Sequence, residues 1–336
     1  MSNGILLSIR NLRKWFPVRR TIWDVITRKP KLWVRAVDGI SFEIREKEIF
    51  GLAGESGSGK TTTGKLLIRL LDPDEGEIVY RDKVDLAKLT KKELKPFRKK
   101  LQIIYQDPYG ALNPRMSVRE LLEEPLRFLE PDLSPEEREE RIMRALELVK
   151  LTPIEEFIEK YPHQLSGGQR QRIVIARAVI ANPEFIVADE PVSMLDVSIR
   201  AGILHLLLEM REKLGISFLY ITHDLATAAY LTDRIAIMYL GKIVEMGKTE
   251  SVLEESLHPY TQLLVSSIPI PDPEEARRRK RALLKGEIPS PIMIPRGCRF
   301  WPRCPKAFDK CRKEEPPWIE VEPGRFVACH LFSSKA

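Results

Sequence analysis

Three observations predict an α/β fold with a largely parallel sheet. Short apolar runs of strand character alternate with helical runs through most of the chain. One such run, Glu48-Ile49-Phe50-Gly51-Leu52-Ala53, leads into the octapeptide Gly54-Glu55-Ser56-Gly57-Ser58-Gly59-Lys60-Thr61, and a helical run from Thr62 to Leu71 follows. Another, Phe185-Ile186-Val187-Ala188, ends in the acid pair Asp189-Glu190, at the strand end where open α/β sheets bind ligands.

Taken in order, Leu6 to Ile9 and Val37 to Ile44 read as short strands flanking a basic insertion near Arg19 to Lys31. Leu101 to Tyr105 is a strand. Residues 117–160 turn helical and charged: Ser134-Pro135-Glu136-Glu137 has the form of a capping box, and Ile142, Ala145, Leu146 and Val149 recur at helical spacing. Strand character returns at Glu184 to Asp189 and at Ile216 to Thr222. Arg234 to Glu245 alternates around Gly241 and reads as a hairpin. After about residue 250 proline becomes frequent, the basic run Arg277 to Arg281 appears, and all four cysteines arrive, which marks a candidate second domain. There is no internal repeat.

The chain of 336 residues suits one large domain or two smaller ones. With 43% hydrophobic and 31% charged residues its composition is that of a soluble globular protein. A net charge of +7 is read as a lysine- and arginine-rich surface before a nucleic-acid or membrane footprint. No run approaches the roughly 18 apolar residues of a membrane span. The N-terminus lacks a signal peptide's basic region and apolar core, so a cytoplasmic protein is expected.

The octapeptide fits G-x-x-x-x-G-K-[ST], and strand before and helix after are the context that motif requires. Its glycines let consecutive N–H groups turn inward on a polyphosphate, and the helix N-terminus adds its positive end. Lys60 is expected on the β- and γ-phosphates, with Thr61 offering a hydroxyl to Mg²⁺. Asp189 would hold Mg²⁺ through water, and Glu190 would polarise an attacking water.

Leu165-Ser166-Gly167-Gly168-Gln169, followed by a long helical run from Arg170 to Ile180, resembles the signature of ABC-type ATPases. The resemblance spans about residues 5 to 250 and keeps the family's motif order. Gln106 stands where the Q-loop glutamine belongs. Ser193-Met194-Leu195-Asp196 resembles the D-loop, where alanine is commoner than Met194. His223 resembles the switch histidine, and Phe16 the aromatic that stacks on adenine, with Trp15 the neighbouring candidate. The resemblance implies a RecA-like phosphate-loop core with an antiparallel β subdomain and a helical insertion at about 114–162. It implies Mg²⁺-dependent ATP hydrolysis, with Glu190, His223, Gln106 and Lys60 catalytic. Phe16, Gly54 to Thr62, Gln106, Asp189, Ser166, Gly167, Gly168, Gln169 and Asp196 would bind nucleotide, and Thr61, Gln106 and Asp189 would serve Mg²⁺. In this family the signature closes over the γ-phosphate held by a second subunit, so a partner ATPase is implied.

Lys60 and Ser166 are too close in sequence to enclose the long coiled coil usual in DNA-repair ABC ATPases. A second phosphate loop, as in ribosome-binding members, is missing. A transport motor remains, with no nucleic acid as partner. Gln106-Asp107-Pro108-Tyr109-Gly110-Ala111-Leu112-Asn113-Pro114-Arg115-Met116 and His258-Pro259-Tyr260-Thr261 look like segments of oligopeptide/dipeptide-type importers, as do Gly286 to Pro291 and Gly297-Cys298-Arg299-Phe300. The insertion around Thr21 to Val34 looks like the second ATPase of such pairs. Expected partners are a second, different ATPase, two membrane permease subunits and, through them, an extracellular solute-binding protein. The expected place is the cytoplasmic face of the membrane. The solute stays open between peptides and sugars or other small molecules.

Cys298, Cys304, Cys311 and Cys329 have the spacing C-x5-C-x6-C-x17-C. Zinc ribbons prefer C-x2-C pairs. Four thiolates suit a [4Fe–4S] cluster, and importers with this pattern look like cluster binders. Zinc is the alternative metal, and disulfides or free thiols are the remaining possibilities. The expected small C-terminal domain therefore runs over 251–336, with 1–250 as the ATPase.

Overall fold

The computed structural model describes residues 4–18, 20, 27, 31–268 and 289–333. Most of the basic insertion and the whole run Arg277 to Arg281 lie outside these residues. Twelve strands follow along the described chain: β1 (Ile5–Pro17), β2 (Trp33–Arg45), β3 (Ile49–Ala53), β4 (Glu75–Tyr80), β5 (Val84–Asp85), β6 (Leu101–Ile104), β7 (Phe185–Asp189), β8 (Ser217–Thr222), β9 (Arg234–Tyr239), β10 (Lys242–Lys248), β11 (Trp318–Glu322) and β12 (Arg325–Ala328). They fall into two compact units.

The unit of Ile5–Glu43, Phe50–Ala87 and Thr222–Ala336 carries the glycine-rich loop. Its four-stranded sheet has the order β2-β1-β4-β5, with β1 antiparallel to β4 and Leu7 opposite Tyr80. β1 runs well past the apolar stretch that ends at Ile9. Polar pairing carries it on: Arg13 meets Glu75 at 2.7 Å, Lys14 meets Asp74 at 2.8 Å, and the Trp15 N–H donates to Asp74 at 2.6 Å. A hydrophobicity pattern has no record of such pairs.

In the same unit β11-β12-β10-β9-β3 lie side by side. β3 is parallel to β9, and β9 and β10 form the expected hairpin, turned at Leu240-Gly241 where both residues have positive φ. β3 is buried at all five positions, as a strand covered on both faces must be. Among the described residues after 250, the chain adds to this sheet and its core. β12 pairs with β10, and Phe300 enters the cluster of Tyr239, Tyr260, Ile235, Ile237 and Leu263. Ring centroids there lie 4.7 Å (Tyr239–Tyr260), 5.3 Å (Tyr239–Phe300) and 5.2 Å (Tyr260–Phe300) apart. Burying three such rings is worth several kcal/mol at about 25 cal/mol per Å² of apolar surface.

His258 organises the chain's entry to this cluster. Its Nδ1 accepts from the Tyr260 N–H at 3.0 Å and caps the helix Pro259–Ser266. The N–H groups of Leu257 and His258 both donate to Glu245, each at 2.9 Å. Glu245 is fully buried, and that burial raises its pKa against the hydrogen bonds that lower it.

The unit of Met1–Gly4, Ile44–Ile49 and Lys88–Ile221 contains the parallel strands β6, β7 and β8, with Ile104 opposite Ala188 and Ala188 opposite Tyr220. β7 and β8 are buried throughout. Helices Val118–Leu129 and Pro135–Leu148 each start with a complete capping box, Ser117 with Glu120 and Ser134 with Glu137. Ile142, Ala145 and Leu146 form the buried stripe of the second helix.

Burial pushes His258 down to about 3. The folded chain therefore keeps it neutral while the unfolded chain protonates it near pH 6.5, so its contribution is complete above that pH and is lost as pH falls toward 3. His258→Asn keeps a capping side chain but cannot titrate. Denaturant titrations at pH 7 and 5.5 should show the wild type losing about 1 kcal/mol that the variant keeps; equal losses would mean that the imidazole is not held neutral.

Candidate functional site

Two glycines give the loop after β3 its shape. Gly59 has φ +109°, and a Cβ there would lie 2.0 Å from the Ala36 carbonyl oxygen. Gly54 has φ +153°, and its Cβ would meet the Met238 carbonyl at 2.1 Å. No other residue fits either place. Gly57, by contrast, has φ +75° with nothing within 4 Å. Ser56 and Gly57 are exposed and Ser58 is buried. Gly241 N–H donates to the Ser58 carbonyl at 2.8 Å, which ties the loop to the β9–β10 turn. Lys60 opens the helix Lys60–Leu67 and is only 5% exposed; its ammonium donates to the carbonyls of Gly54 at 2.7 Å and Glu55 at 2.9 Å. Thr61 and Thr62 follow in the first turn, with Thr61 exposed. The loop thus folds its backbone around a cation while its outer rim stays open, an arrangement suited to polyphosphate.

At the end of β1 the two aromatic candidates differ. Trp15 donates its indole N–H to Asp38 at 3.1 Å and carries the Arg35 guanidinium 4.7 Å from its ring centroid. Phe16 is half-buried, with the Lys14 ammonium 5.7 Å from its centroid. His223 is exposed in the turn after β8, where the Asp224 N–H donates to Thr222 Oγ1 at 2.9 Å and Asp224 caps the helix Leu225–Leu231.

In the other unit β7 delivers Asp189, 5% exposed, and then Glu190 with φ +46°. The Glu190 N–H donates to the Ile221 carbonyl at 3.0 Å. Gln106, just past β6, donates its Nε2 to Glu190 Oε2 at 2.9 Å, so two of the expected site residues meet directly. Ser166 caps the helix Gly167–Val179 through a capping box with Gln169, which leaves its hydroxyl proton available to an outside acceptor. Gly168 is held against Ile199, where a Cβ would come within 2.7 Å. Asp196 is exposed at the start of the helix Val197–Leu214.

The family model described as ABC transporter matches residues 37–193, and the one described as Oligopeptide/dipeptide transporter, C-terminal region, matches residues 244–311. The putative oligopeptide transport ATP-binding protein YkfD of Bacillus subtilis is 51% identical over 90% of this chain and 91% of its own. The oligopeptide transport ATP-binding protein AppF of Bacillus subtilis is 43% identical over 98% of both chains. Among solved structures, the dimeric ATP-binding cassette MJ0796 bound to ADP and phosphate superposes with a TM-score of 0.63 at 30% identity, covering 73% of this chain and 99% of that one.

The chain belongs to the ABC transporter family. It is the ATP-binding subunit of an oligopeptide/dipeptide importer, and its fold is the ABC ATPase cassette. As an importer's ATPase subunit it hydrolyses ATP, is peripheral to the membrane and works with permease subunits. Among the described residues no helix is long and apolar enough to cross a membrane.

The ABC ATPase also carries polar contacts that sequence reasoning missed. Arg299 donates to the Leu240 carbonyl and to Asp38. Burial raises the Asp38 pKa, but the Arg299 hydrogen bond and charge outweigh it and the net shift is down. Arg303 forks onto the Glu55 carboxylate at 2.7 and 2.9 Å. No local signal announces pairs so distant in sequence.

The cysteines depart from expectation. None of the four is paired in a disulfide in this structure. Burial pushes Cys298 up to about 12, Cys329 to about 11 and Cys304 upward, and neighbouring cysteines push each further the same way. Among the described residues no group of three His, Cys, Asp or Glu side chains that could hold a metal ion is found, so the structure supports neither the expected [4Fe–4S] cluster nor its zinc alternative. Cys298 sits in a turn, Cys311 on the helix Asp309–Lys313 and Cys329 beyond β12.

Gly59→Ala should weaken ATP binding by tenfold or more, because backbone must move. Gly57→Ala adds only positive-φ strain, about 1 kcal/mol, and should cost less. Equilibrium ATP titration of the two variants checks the order, and equal losses would contradict the loop geometry.

Proposed function

We propose that Gly54 to Thr62 cradle the ATP polyphosphate, with Lys60 on the β- and γ-phosphates and Phe16 stacked on adenine. Phe16 is preferred to Trp15, whose N–H and one ring face are already engaged. Thr61, Gln106 and Asp189 would serve Mg²⁺; a hydroxyl, an amide oxygen and a carboxylate suit that hard cation, which would neutralise charge on the phosphates. Glu190 polarises the attacking water, and His223 stabilises the γ-phosphate. Ser166, Gly167, Gly168, Gln169 and Asp196 act on the nucleotide of a second ATPase subunit, read as a different chain. Peptide uptake then draws on two permeases and an external solute-binding protein at the cytoplasmic face. The functional boundary is read near residue 250, with 251–336 as the importer-type extension.

The observation that carries this reading is the Gln106–Glu190 hydrogen bond at 2.9 Å. It supports a glutamate poised for water and sensed by the Q-loop. Glu190→Gln should leave ATP bound and reduce phosphate release from the assembled importer about 100-fold or more. Release at the wild-type rate from this variant and from Lys60→Ala would sink the assignment.

For the C-terminal segment we infer that Cys298, Cys304, Cys311 and Cys329 would hold a [4Fe–4S] cluster. What supports it is the sequence pattern alone: four cysteines, the ligand type of such clusters, within one short segment. The cluster would cross-link the segment and supply no step of ATP hydrolysis. Anaerobically purified protein should contain about four irons with equal sulfide and absorb near 400 nm. Colourless protein without iron would end this reading.

A further inference from the structure

Glu55 is the second residue of the phosphate loop, and every polar group it has is engaged. Its N–H donates to Tyr260 Oη at 2.9 Å. Its carbonyl accepts from the Lys60 ammonium at 2.9 Å. Its carboxylate accepts the Arg303 fork, Nη1 to Oε2 at 2.7 Å and Nη2 to Oε1 at 2.9 Å. The Arg303 side chain is 4% exposed and that of Glu55 19%.

Both partners come from beyond the ATPase core motifs, and both are fixed by packing. Arg303 lies 5.8 Å from the Tyr239 ring centroid and 5.9 Å from that of Phe300. Tyr260 packs on the same two rings, on a helix capped by His258. A bidentate guanidinium–carboxylate pair out of water is directional as well as strong. A buried ion pair is weak evidence for stability by itself. Here the direction matters, because the residue it orients supplies one of the carbonyls that hold the Lys60 ammonium.

We propose that Arg303 and Tyr260 are positioning residues for ATP: the C-terminal extension clamps Glu55 by its side chain and its N–H, and so holds Lys60 and the loop in a nucleotide-accepting shape. Neither residue touches the nucleotide. The proposal rests on the ATP-binding role of the loop. It gives the extension a task in the nucleotide site whatever its cysteines hold. The clamp consists of groups on the loop, on the Pro259–Ser266 helix and on the segment that carries Phe300 and Arg303.

The test is the KM for ATP and the kcat of the assembled importer carrying the full-length chain, with thermal unfolding of each variant alongside. Arg303→Ala should raise KM about tenfold, the worth of one charge-assisted hydrogen bond, with kcat within about twofold. Arg303→Lys keeps the charge but loses the fork and should fall between. Tyr260→Phe removes one hydroxyl, leaves the ring packing, and should raise KM about threefold with an unchanged unfolding midpoint. Arg303→Ala at wild-type KM, or a fall in kcat alone, would overturn the clamp. Should Arg303→Ala fail to fold, Tyr260→Phe decides, and a wild-type KM there overturns the proposal. A wild type that neither binds nor hydrolyses ATP would overturn the loop's role as well, whereas a loss confined to Lys60→Ala would overturn the clamp alone.

Discussion

A phosphate-binding loop must keep some amides turned toward a ligand and satisfy every other polar atom from within. That constraint organises the loop's whole neighbourhood. Gly54 and Gly59 let the backbone pass against the carbonyls of Met238 and Ala36, where no side chain fits. Lys60 turns its charge onto two loop carbonyls, and Gly241 takes the Ser58 carbonyl. The β9–β10 hairpin and the start of β2 are therefore parts of the loop's support. Substitution at Gly241 would act on the loop even though that glycine lies far away in sequence.

The same rule explains the polar residues buried beneath the extension. Glu245 is fully buried and accepts two backbone N–H groups, with the Arg325 guanidinium 3.9 Å away. Asp38 is buried against Arg299 and Trp15. Each such carboxylate would be costly to desolvate alone. Each instead fixes the direction of a chain segment that must arrive at a set place. His-Pro-Tyr-Thr belongs here too: its histidine caps, its proline starts a helix, and its tyrosine reaches Glu55.

Much of this fold was legible because its causes are local. β3 reads as an unbroken apolar run and β7 and β8 as apolar runs with polar residues only at their ends, since strands covered on both faces must be apolar within. Ser134 and Glu137 announce a helix because a capping box closes within four residues. The loop is written in consecutive residues, as is the Asp189-Glu190 pair. What escaped is long-range pairing. β1 outruns its apolar stretch on ion pairs with Glu75 and Asp74. Arg299 and Arg303 pair with Asp38 and Glu55, each more than two hundred residues away. The cysteines drew attention as ligands, while the two arginines beside them make the contacts that reach the loop.

Composition describes only the outside of the extension, for a related reason. Proline and charge report on what a segment shows to water, and residues 289–333 show much of it. What attaches them is buried: Phe300, Val327, Arg299, Arg303, Arg325, Cys311, Cys329 and His330, together with the pairing of β12 on β10. If those groups hold the loop, the relation runs both ways, because a coupling free energy between two sites is shared equally. Whatever ATP gains from a loop held by Arg303 and Tyr260, the extension gains in stability when ATP binds. The extension is then firmest when its subunit is loaded with nucleotide, and its ordering becomes a report on the state of the phosphate loop.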